Sequence, residues 1–463
     1  MLFSGGIHKW TYLSSFLLGL LYFYFAYYIE RTQFLSLFTV WTVLFLITYI
    51  LLRYIKPSFL VFSLLAILFR LIFLTVTPNL SQDFYRFVWD GRMLLEGYNP
   101  YLSLPETWIA NASAPIAEAT LLYKGMGPMN GSHYTNYPPV SQFIYWLAAL
   151  FDKNTYLNAM IFIRVMLILA DLGTIWMGSK LLSALHLPKS QIFWYALNPF
   201  ILIELTGNLH FEGVMVFFLI TGLWFAFNKK WLLAGIAIGL SISVKLIPLL
   251  LLPVFIQYLL RERVVYKNFT LGRLRIPLVF YSSTLLMVFL TFLPFISYEF
   301  MRNFAQTINL WFQSFEFNAS IYYIFRWIGY QVKGWNIIET LGPVLSICGI
   351  VAILLISFFK DNLRFSSLLT GLLFAICAYY AFATTVHPWY LAIPLVLSVF
   401  TRYRFVQIWS FCIIFSYTAY INSTYQENLW MVALEYIIVI AFLGWELFRV
   451  SKAKKAKLLT KSF

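Results

Sequence analysis

Apolar segments of about 20 residues follow one another along almost the whole chain, and this is the length that an α-helix needs to cross a bilayer core. The first three occupy residues 10–29, 34–52 and 58–77. Hydrophobic residues make up 61% of the 463 residues and charged residues only 11%, whereas soluble domains carry about 25% charged residues. We therefore predict an all-α polytopic membrane protein, a bundle of about 13 transmembrane helices.

The formal net charge of +15 comes from basic residues in short loops and at the C-terminus. That distribution is typical of cytoplasmic loops rather than of a nucleic-acid surface. Arg53 and Lys56 place the second link in the cytoplasm, so the loop 78–137 is predicted outside, with five acids and three bases. We expect a plasma-membrane protein whose basic tail, residues 450–463, lies in the cytoplasm on anionic lipid headgroups.

We divide the chain by its hydropathy and loop lengths into five regions. These are N-terminal transmembrane helices (1–57), a central transmembrane module that contains the external loop 78–137 (58–298), an external aromatic-rich loop (299–337), C-terminal transmembrane helices (338–449) and the tail (450–463).

The external loop 78–137 carries apolar residues at helical spacing from position 84 to position 95. Asn79 and Gln82 resemble a capping box before this helix, and Gly97 is placed to end it. The segment is predicted to be an amphipathic helix on the outer surface of the protein. Its polar face would carry Asp83, Arg86 and Asp90.

Two later segments leave the number of membrane crossings open. Residues 138–151 are apolar but short for a span, and charge bias favours a topology in which only residues 157–179 cross. Residues 207–213 would then lie outside; if both segments cross, they lie inside. Residues 231–260 are too long for one span and contain Lys245 and two prolines, so we predict a broken helix that lines a cavity.

Under the favoured topology, polar groups gather at the external face, where ionisable groups at membrane depth are more often functional than incidental. Each has a structural alternative. Asp83 could be stabilised by a helix N-terminus, Asp90 could be an i, i+4 partner of Arg86 on a solvated face, and Lys245 could extend to water. The other members are Tyr137, Asn208, His210, Glu212 and His387.

Arg164 and Asp171 share one helical face and are predicted to pair within the bundle. The acids and histidines show no compact spacing that would favour a metal site. An external carboxylate, a cation at membrane depth and an apolar groove together suit sugar transfer from a lipid phosphate. A base would deprotonate the acceptor hydroxyl while the cation stabilises the departing phosphate.

Five motifs occur in order over residues 81–394: SQDFYRFVWDGRMLLEGYNPY, YTNYPPVSQF, NPFILIELTGNLHFEGVMVFF, SVKLIPLLLLP and VHPWYL. This set resembles the GT-C superfamily of membrane glycosyltransferases, and bacterial mannosyltransferase-like members in particular, which use polyprenyl-phosphate sugars. The resemblance implies that Asp83 is the catalytic base and that NLHFEG lies near the donor. It also implies that Lys245 and His387 face the donor phosphate or sugar.

The chain departs from the family pattern in two respects. Glu212 stands where an Asp or Asn is expected, and more spans precede the catalytic loop than the one that many members have. With no second acid to complete a metal-binding pair, we expect no cofactor and no dependence on a divalent metal.

The sequence thus predicts an inverting glycosyltransferase with Asp83 as general base, moving a hexose such as mannose to a glycan, lipid or protein acceptor outside the cytoplasm. Donor or substrate binding is assigned to Arg86, Asp90, Tyr137, Asn208, His210, Glu212, Lys245 and His387. The alternatives are a transporter or lipid flippase, and a surface-polysaccharide polymerase or ligase that would use a lipid-diphosphate donor.

Overall fold

The structure is a computed structural model that describes residues 9–152, 155–261, 274–422 and 425–459. Throughout these ranges the fold is helical, and the β-structure in them is an isolated bridge between Phe317 and Thr385. The basic loop 262–273 and the last four residues of the predicted tail lie outside the described residues.

The helices, numbered in chain order, connect through short loops and several irregular helical turns. They are α1 Lys9–Tyr28, α2 Phe34–Ile50, α3 Phe59–Leu71, α4 Asp83–Leu95, α5 Pro105–Ala110, α6 Ala119–Gly131, α7 Pro139–Leu150, α8 Tyr156–Ala184, α9 Phe193–Ala196, α10 Pro199–Ile201, α11 Glu212–Phe227, α12 Trp231–Val244, α13 Ile256–Arg261, α14 Arg275–Phe292, α15 Tyr298–Gln313, α16 Ile321–Lys333, α17 Ile338–Phe359, α18 Phe365–Phe382, α19 Ala392–Val399, α20 Phe405–Cys412 and α21 Leu429–Leu459.

Six helices in the described ranges are long and apolar enough to cross a membrane: Phe34–Ile55, Tyr156–Ala184, Arg275–Phe295, Ile338–Phe359, Phe365–Phe382 and Leu429–Lys452. A helix pair bent by 115°, Pro199–Gly207 with Glu212–Phe227, would make a seventh span. Further apolar helices are only 10–17 residues long, and Pro139–Leu150 is one of them. The all-helical membrane class is confirmed, while the count of about 13 spans stays a prediction.

Helix α4 forms where its periodicity predicts, over Asp83–Leu95, and Gly97 follows its end with φ of 82°. This left-handed conformation suits glycine and terminates the helix. The predicted capping box is wrong, because the Asn79 amide instead donates to the carbonyls of Phe25 (3.0 Å) and Ile29 (2.8 Å).

Both faces of α4 are largely buried, so the helix is packed inside the protein instead of lying on its surface. It contacts α6 and α7. A Cβ atom added at Gly91 would come within 2.2 Å of the Tyr145 carbonyl oxygen, so the glycine permits the close approach of α4 and α7. The polar face predicted to meet water is therefore enclosed, although its position outside the membrane stays a prediction.

The broken helix predicted over residues 231–260 is confirmed. Helix α12 ends at Val244, Lys245 is extended with φ of −148° and ψ of 141°, and a 3-10 helix, Ile247–Phe255, follows. Pro248 and Pro253 cannot donate the amide hydrogen bonds of a regular α-helix. The break frees the Lys245 side chain from a helical register and directs it into the interior.

A second break separates the π-helical turn Leu202–Gly207 from α11. Leu209 in this break has φ of 61°, a left-handed conformation that costs a branched residue free energy and that recurs at functional sites. Arg164 donates to the carbonyls of Thr206 (2.9 Å) and Gly207 (3.0 Å), which have lost their helical partners.

The predicted pair of Arg164 and Asp171 is wrong. Asp171 accepts instead from Arg70 on α3, with an Nε to Oδ2 distance of 2.8 Å between two fully buried side chains. Arg164 is occupied by backbone carbonyls at the second break. Both arginines therefore stabilise the interior, one by pairing α3 with α8 and the other by holding the bent pair.

Candidate active site

Asp83 is the first residue of α4, so its carboxylate lies at the positive end of the helix dipole. Its Oδ2 atom accepts a hydrogen bond from the Tyr137 hydroxyl at 3.4 Å. Burial raises the pKa of the Asp83 carboxyl, and the Lys245 ammonium and the Tyr137 hydrogen bond only partly oppose this rise. The result is a carboxylate that is more basic than one in water.

Lys245 and Glu212 come together from the two helix breaks. The Lys245 Nζ atom lies 2.7 Å from Glu212 Oε1 and 5.8 Å from the centre of the Tyr137 ring. Glu212 is fully buried and the lysine side chain is 14% exposed, so the lysine does not extend to water. The ion pair thus keeps the Lys245 ammonium beside the Tyr137 ring. Glu212 Oε2 has no hydrogen-bond partner among the described residues.

Three rings form a stack beside this pair. The His210 and Trp389 centroids are 3.7 Å apart with planes inclined by 19°, and those of Trp389 and His387 are 4.6 Å apart at 10°. Burial and the Lys245 charge lower the pKa of His387 to about 3, so its ring is neutral at physiological pH. Within the described ranges, both ring nitrogens of His210 and Nδ1 of His387 lack hydrogen-bond partners.

Behind the stack lies Glu204, a fully buried acid that sequence reasoning missed. One of its oxygens accepts from the Tyr417 hydroxyl and the other lies 3.8 Å from His210 Nε2. The available signal was an acid inside the apolar run ILIELTG, because such acids are rare without a function. Asn208, in contrast, uses its side-chain oxygen to accept from the Leu80 amide at 3.0 Å, which ties the break to the segment before α4.

Arg86 and Asp90 do pair, with Nε to Oδ1 at 2.8 Å, but the pair is buried and not on a solvated face. Arg86 also donates to the carbonyls of Asn130 and His133, and Gln142 donates to Asp90 Oδ2 at 2.9 Å. These bonds fasten α4 to α7 and to the segment that leads to Tyr137. They give both residues a structural role, and their assignment to substrate binding stays a prediction.

Of the predicted site residues, the structure thus joins Asp83, Tyr137, Glu212 and Lys245 by direct contacts or close approach. His210 and His387 each stack on the Trp389 ring. Within the described part of the chain, no three His, Cys, Asp or Glu side chains are arranged as metal ligands.

An apolar groove of about 470 Å³ runs beside the site between α7 and α14. Its lining includes Pro139, Phe143, Trp146, Leu290 and Phe295. The groove adjoins the polar residues through the chain, because Pro139 is two positions after Tyr137. Thr291, also in the lining, is hydrogen-bonded at 2.7 Å to Ser243, two positions before Lys245.

Comparison with known proteins matches residues 13–261 to a family described as "Alpha-(1->6)-mannopyranosyltransferase, N-terminal domain". A curated relative, alpha-(1->6)-mannopyranosyltransferase A of Mycobacterium tuberculosis, is 23% identical over 186 residues, which are 40% of this chain and 34% of the relative. The aligned region is therefore about a third of that relative's length. The family match contains Asp83, Tyr137, Glu212 and Lys245, and His387 lies beyond it. The predicted resemblance to mannosyltransferase-like membrane glycosyltransferases is confirmed, and the chain belongs to this alpha-(1->6)-mannopyranosyltransferase family.

Proposed function

We propose that the protein transfers mannose from a polyprenyl-phosphate donor to an acceptor hydroxyl by direct displacement, with Asp83 as general base. The observation that carries this proposal is the meeting of the Asp83 carboxylate, the Tyr137 hydroxyl and the Lys245–Glu212 pair in one enclosed site. Membership of a mannosyltransferase family supports the reaction class.

In the proposed step, Asp83 takes the proton of the acceptor hydroxyl as the acceptor oxygen bonds to the anomeric carbon. The bond from that carbon to the phosphate oxygen breaks, and its electron pair leaves with the phosphate. The Lys245 ammonium would stabilise the charge that develops there. A base with a raised pKa takes up a proton more readily. Because displacement inverts the anomeric carbon, an α-(1→6) product requires a β-linked donor.

Two further features support the donor class. In this proposal the isoprenoid chain lies in the apolar groove, whose Pro139 is two positions after Tyr137 and whose Thr291 is hydrogen-bonded to Ser243, and the donor phosphate reaches Lys245. The ring nitrogens of His210 and His387 and the Glu212 oxygen that lack hydrogen-bond partners among the described residues offer partners for sugar hydroxyls. No step in this scheme requires a metal, and metal independence remains part of the proposal.

We further propose that the site faces the outside of the plasma membrane and that the C-terminus is cytoplasmic. Two exposed positions test this by labelling single cysteines in intact cells. A cysteine at Asn111, in the loop 78–137, should react with an impermeant maleimide. One at Asn228, in the loop between α11 and α12 that the favoured topology places in the cytoplasm, should react only after permeabilisation. The background lacks Cys348, Cys377 and Cys412. The reverse pattern would place the site in the cytoplasm.

The function is tested by supplying purified protein with a panel of polyprenyl-phosphate sugars and an acceptor mannoside. We expect transfer from β-mannosyl phosphate donors, with α-linked product shown by NMR. Transfer only from a lipid-diphosphate donor would favour the polymerase or ligase alternative. Movement of the donor across liposomes without sugar transfer would favour a flippase.

A further inference from the structure

Arg31 lies in the turn between α1 and α2 and reaches the residue next to the proposed base. Its Nη2 atom donates to the Gln82 side-chain oxygen at 3.2 Å and to the Tyr425 hydroxyl at 3.5 Å. Its guanidinium carbon lies 4.9 Å from the centre of the Tyr420 ring and 5.7 Å from that of Tyr425. Two cation–π contacts thus hold the guanidinium against these rings.

Among the residues that the structure describes, no acidic side chain pairs with the Arg31 guanidinium, and its hydrogen bonds use only Nη2. By contrast, Arg70 and Arg86, two buried arginines near the site, are each paired with a carboxylate. A guanidinium that is held in place and has further N–H groups to donate is suited to bidentate hydrogen bonding of a phosphate or carboxylate.

Arg31 and Lys245 lie in separate surroundings. Lys245 stands against Tyr137 and Glu212, whereas Arg31 stands against Gln82, the residue before Asp83. In a displacement with inversion, the acceptor and the leaving phosphate occupy opposite faces of the anomeric carbon, and the base is on the acceptor's side. Tyr425 is 58% exposed, so the Arg31 side of the site opens to solvent.

We propose that Arg31, Gln82, Tyr420 and Tyr425 form the acceptor subsite, in which Arg31 binds a phosphate or carboxylate that the acceptor carries beside its sugar. The Tyr425 ring, which is largely exposed, also offers a surface against which a sugar can pack. This proposal rests on the proposed function, because it takes the side of Asp83 as the side of the acceptor. It adds that the preferred acceptor is anionic.

The test measures binding to the purified full-length protein without donor, so its outcome does not depend on turnover. Three probes keep the 6-hydroxyl of mannose and differ in charge: neutral octyl α-mannoside, 7-carboxyheptyl α-mannoside with a carboxylate, and dihexanoyl glycerophospho-α-mannoside with a phosphodiester. We expect at least one anionic probe to bind about 10- to 100-fold more tightly than the neutral one, as charge-assisted hydrogen bonds allow. Arg31→Gln should abolish this preference and leave the Kd of the neutral probe within about threefold.

Arg402, exposed elsewhere on the protein, provides the matched control. Arg402→Gln should keep the full preference for the anionic probe. Arg31→Lys should keep part of this preference, because lysine retains the positive charge but lacks the bidentate N–H geometry of the guanidinium. Equal affinity of the wild-type protein for all three probes would overturn the proposal. So would a loss of polyprenyl-phosphate donor binding in Arg31→Gln, which would assign Arg31 to the donor. Absence of sugar transfer with the anion preference intact would count against the proposed function alone.

Discussion

Removal of the Asp90 carboxylate should lower the free energy of unfolding of the protein, and not only its rate of sugar transfer. Arg86 and Asp90 are 2.8 Å apart with side chains 2% and 0% exposed. In Asp90→Leu the Arg86 charge stays buried with only backbone carbonyls as partners. Breaking one side of a buried ion pair costs about 3–5 kcal/mol. A loss of this size is a large part of the stability of a typical protein.

The companion variant is the double replacement Arg86→Met with Asp90→Leu. It removes both charges, and replacement of a whole buried pair by apolar side chains is often close to neutral. The carbonyls of Asn130 and His133 then lose a donor, so we expect partial recovery, to within about 1–3 kcal/mol of the wild type. The assay is urea unfolding in mixed micelles, followed by tryptophan fluorescence.

Two results would refute this reasoning. If Asp90→Leu unfolds at the wild-type urea concentration and loses only transfer activity, Asp90 acts in the chemistry and not in the scaffold. If the double variant is less stable than Asp90→Leu, the carbonyl contacts of Arg86 contribute more stability than its pair with Asp90.

Three further outcomes follow from the site. Because the Lys245 ammonium lowers the pKa of the Asp83 carboxyl, Lys245→Met should raise that pKa. The Asp83 carboxylate is lost as the pH falls, so the acid limb of the profile of kcat against pH should move to higher pH. The ring of His387, with its pKa lowered to about 3, is already neutral above pH 5, so the same profile in His387→Gln should keep its inflection; a lost inflection would contradict this. Gly91→Ala forces a Cβ into the backbone of α7 and should lower Tm by several degrees, whereas Gly19→Ala, with nothing within 4 Å, should not.

Local patterns predicted local structure well. The spacing of apolar residues located α4, Gly97 marked its end, and Lys245 with two prolines marked a helix break. These features depend on backbone conformations that neighbouring residues determine. Asp83 was singled out as base by the ordered motifs that resemble the GT-C superfamily, and the structure adds its contact with Tyr137.

Partners distant in sequence were not predictable in the same way. Asp171 pairs with Arg70, 101 positions away, instead of with Arg164 seven positions away on its own helix. Arg31 meets Gln82 across 51 positions and Tyr425 across 394, and no local spacing indicates either contact. In a bundle of apolar helices many pairings satisfy the same hydropathy, so tertiary packing decides which polar groups meet.

The central claim is that Asp83 is the general base, and single-turnover transfer by Asp83→Asn tests it most directly. Asparagine keeps the size of the side chain and its contact with Tyr137 but cannot take up the proton. With β-mannosyl polyprenyl phosphate already bound, we predict a fall in transfer rate of about 10²- to 10⁴-fold, with donor Kd unchanged within about threefold. The exposed Glu96 at the other end of α4 gives the control, Glu96→Gln, which should transfer at the wild-type rate. Wild-type transfer by Asp83→Asn would contradict the account.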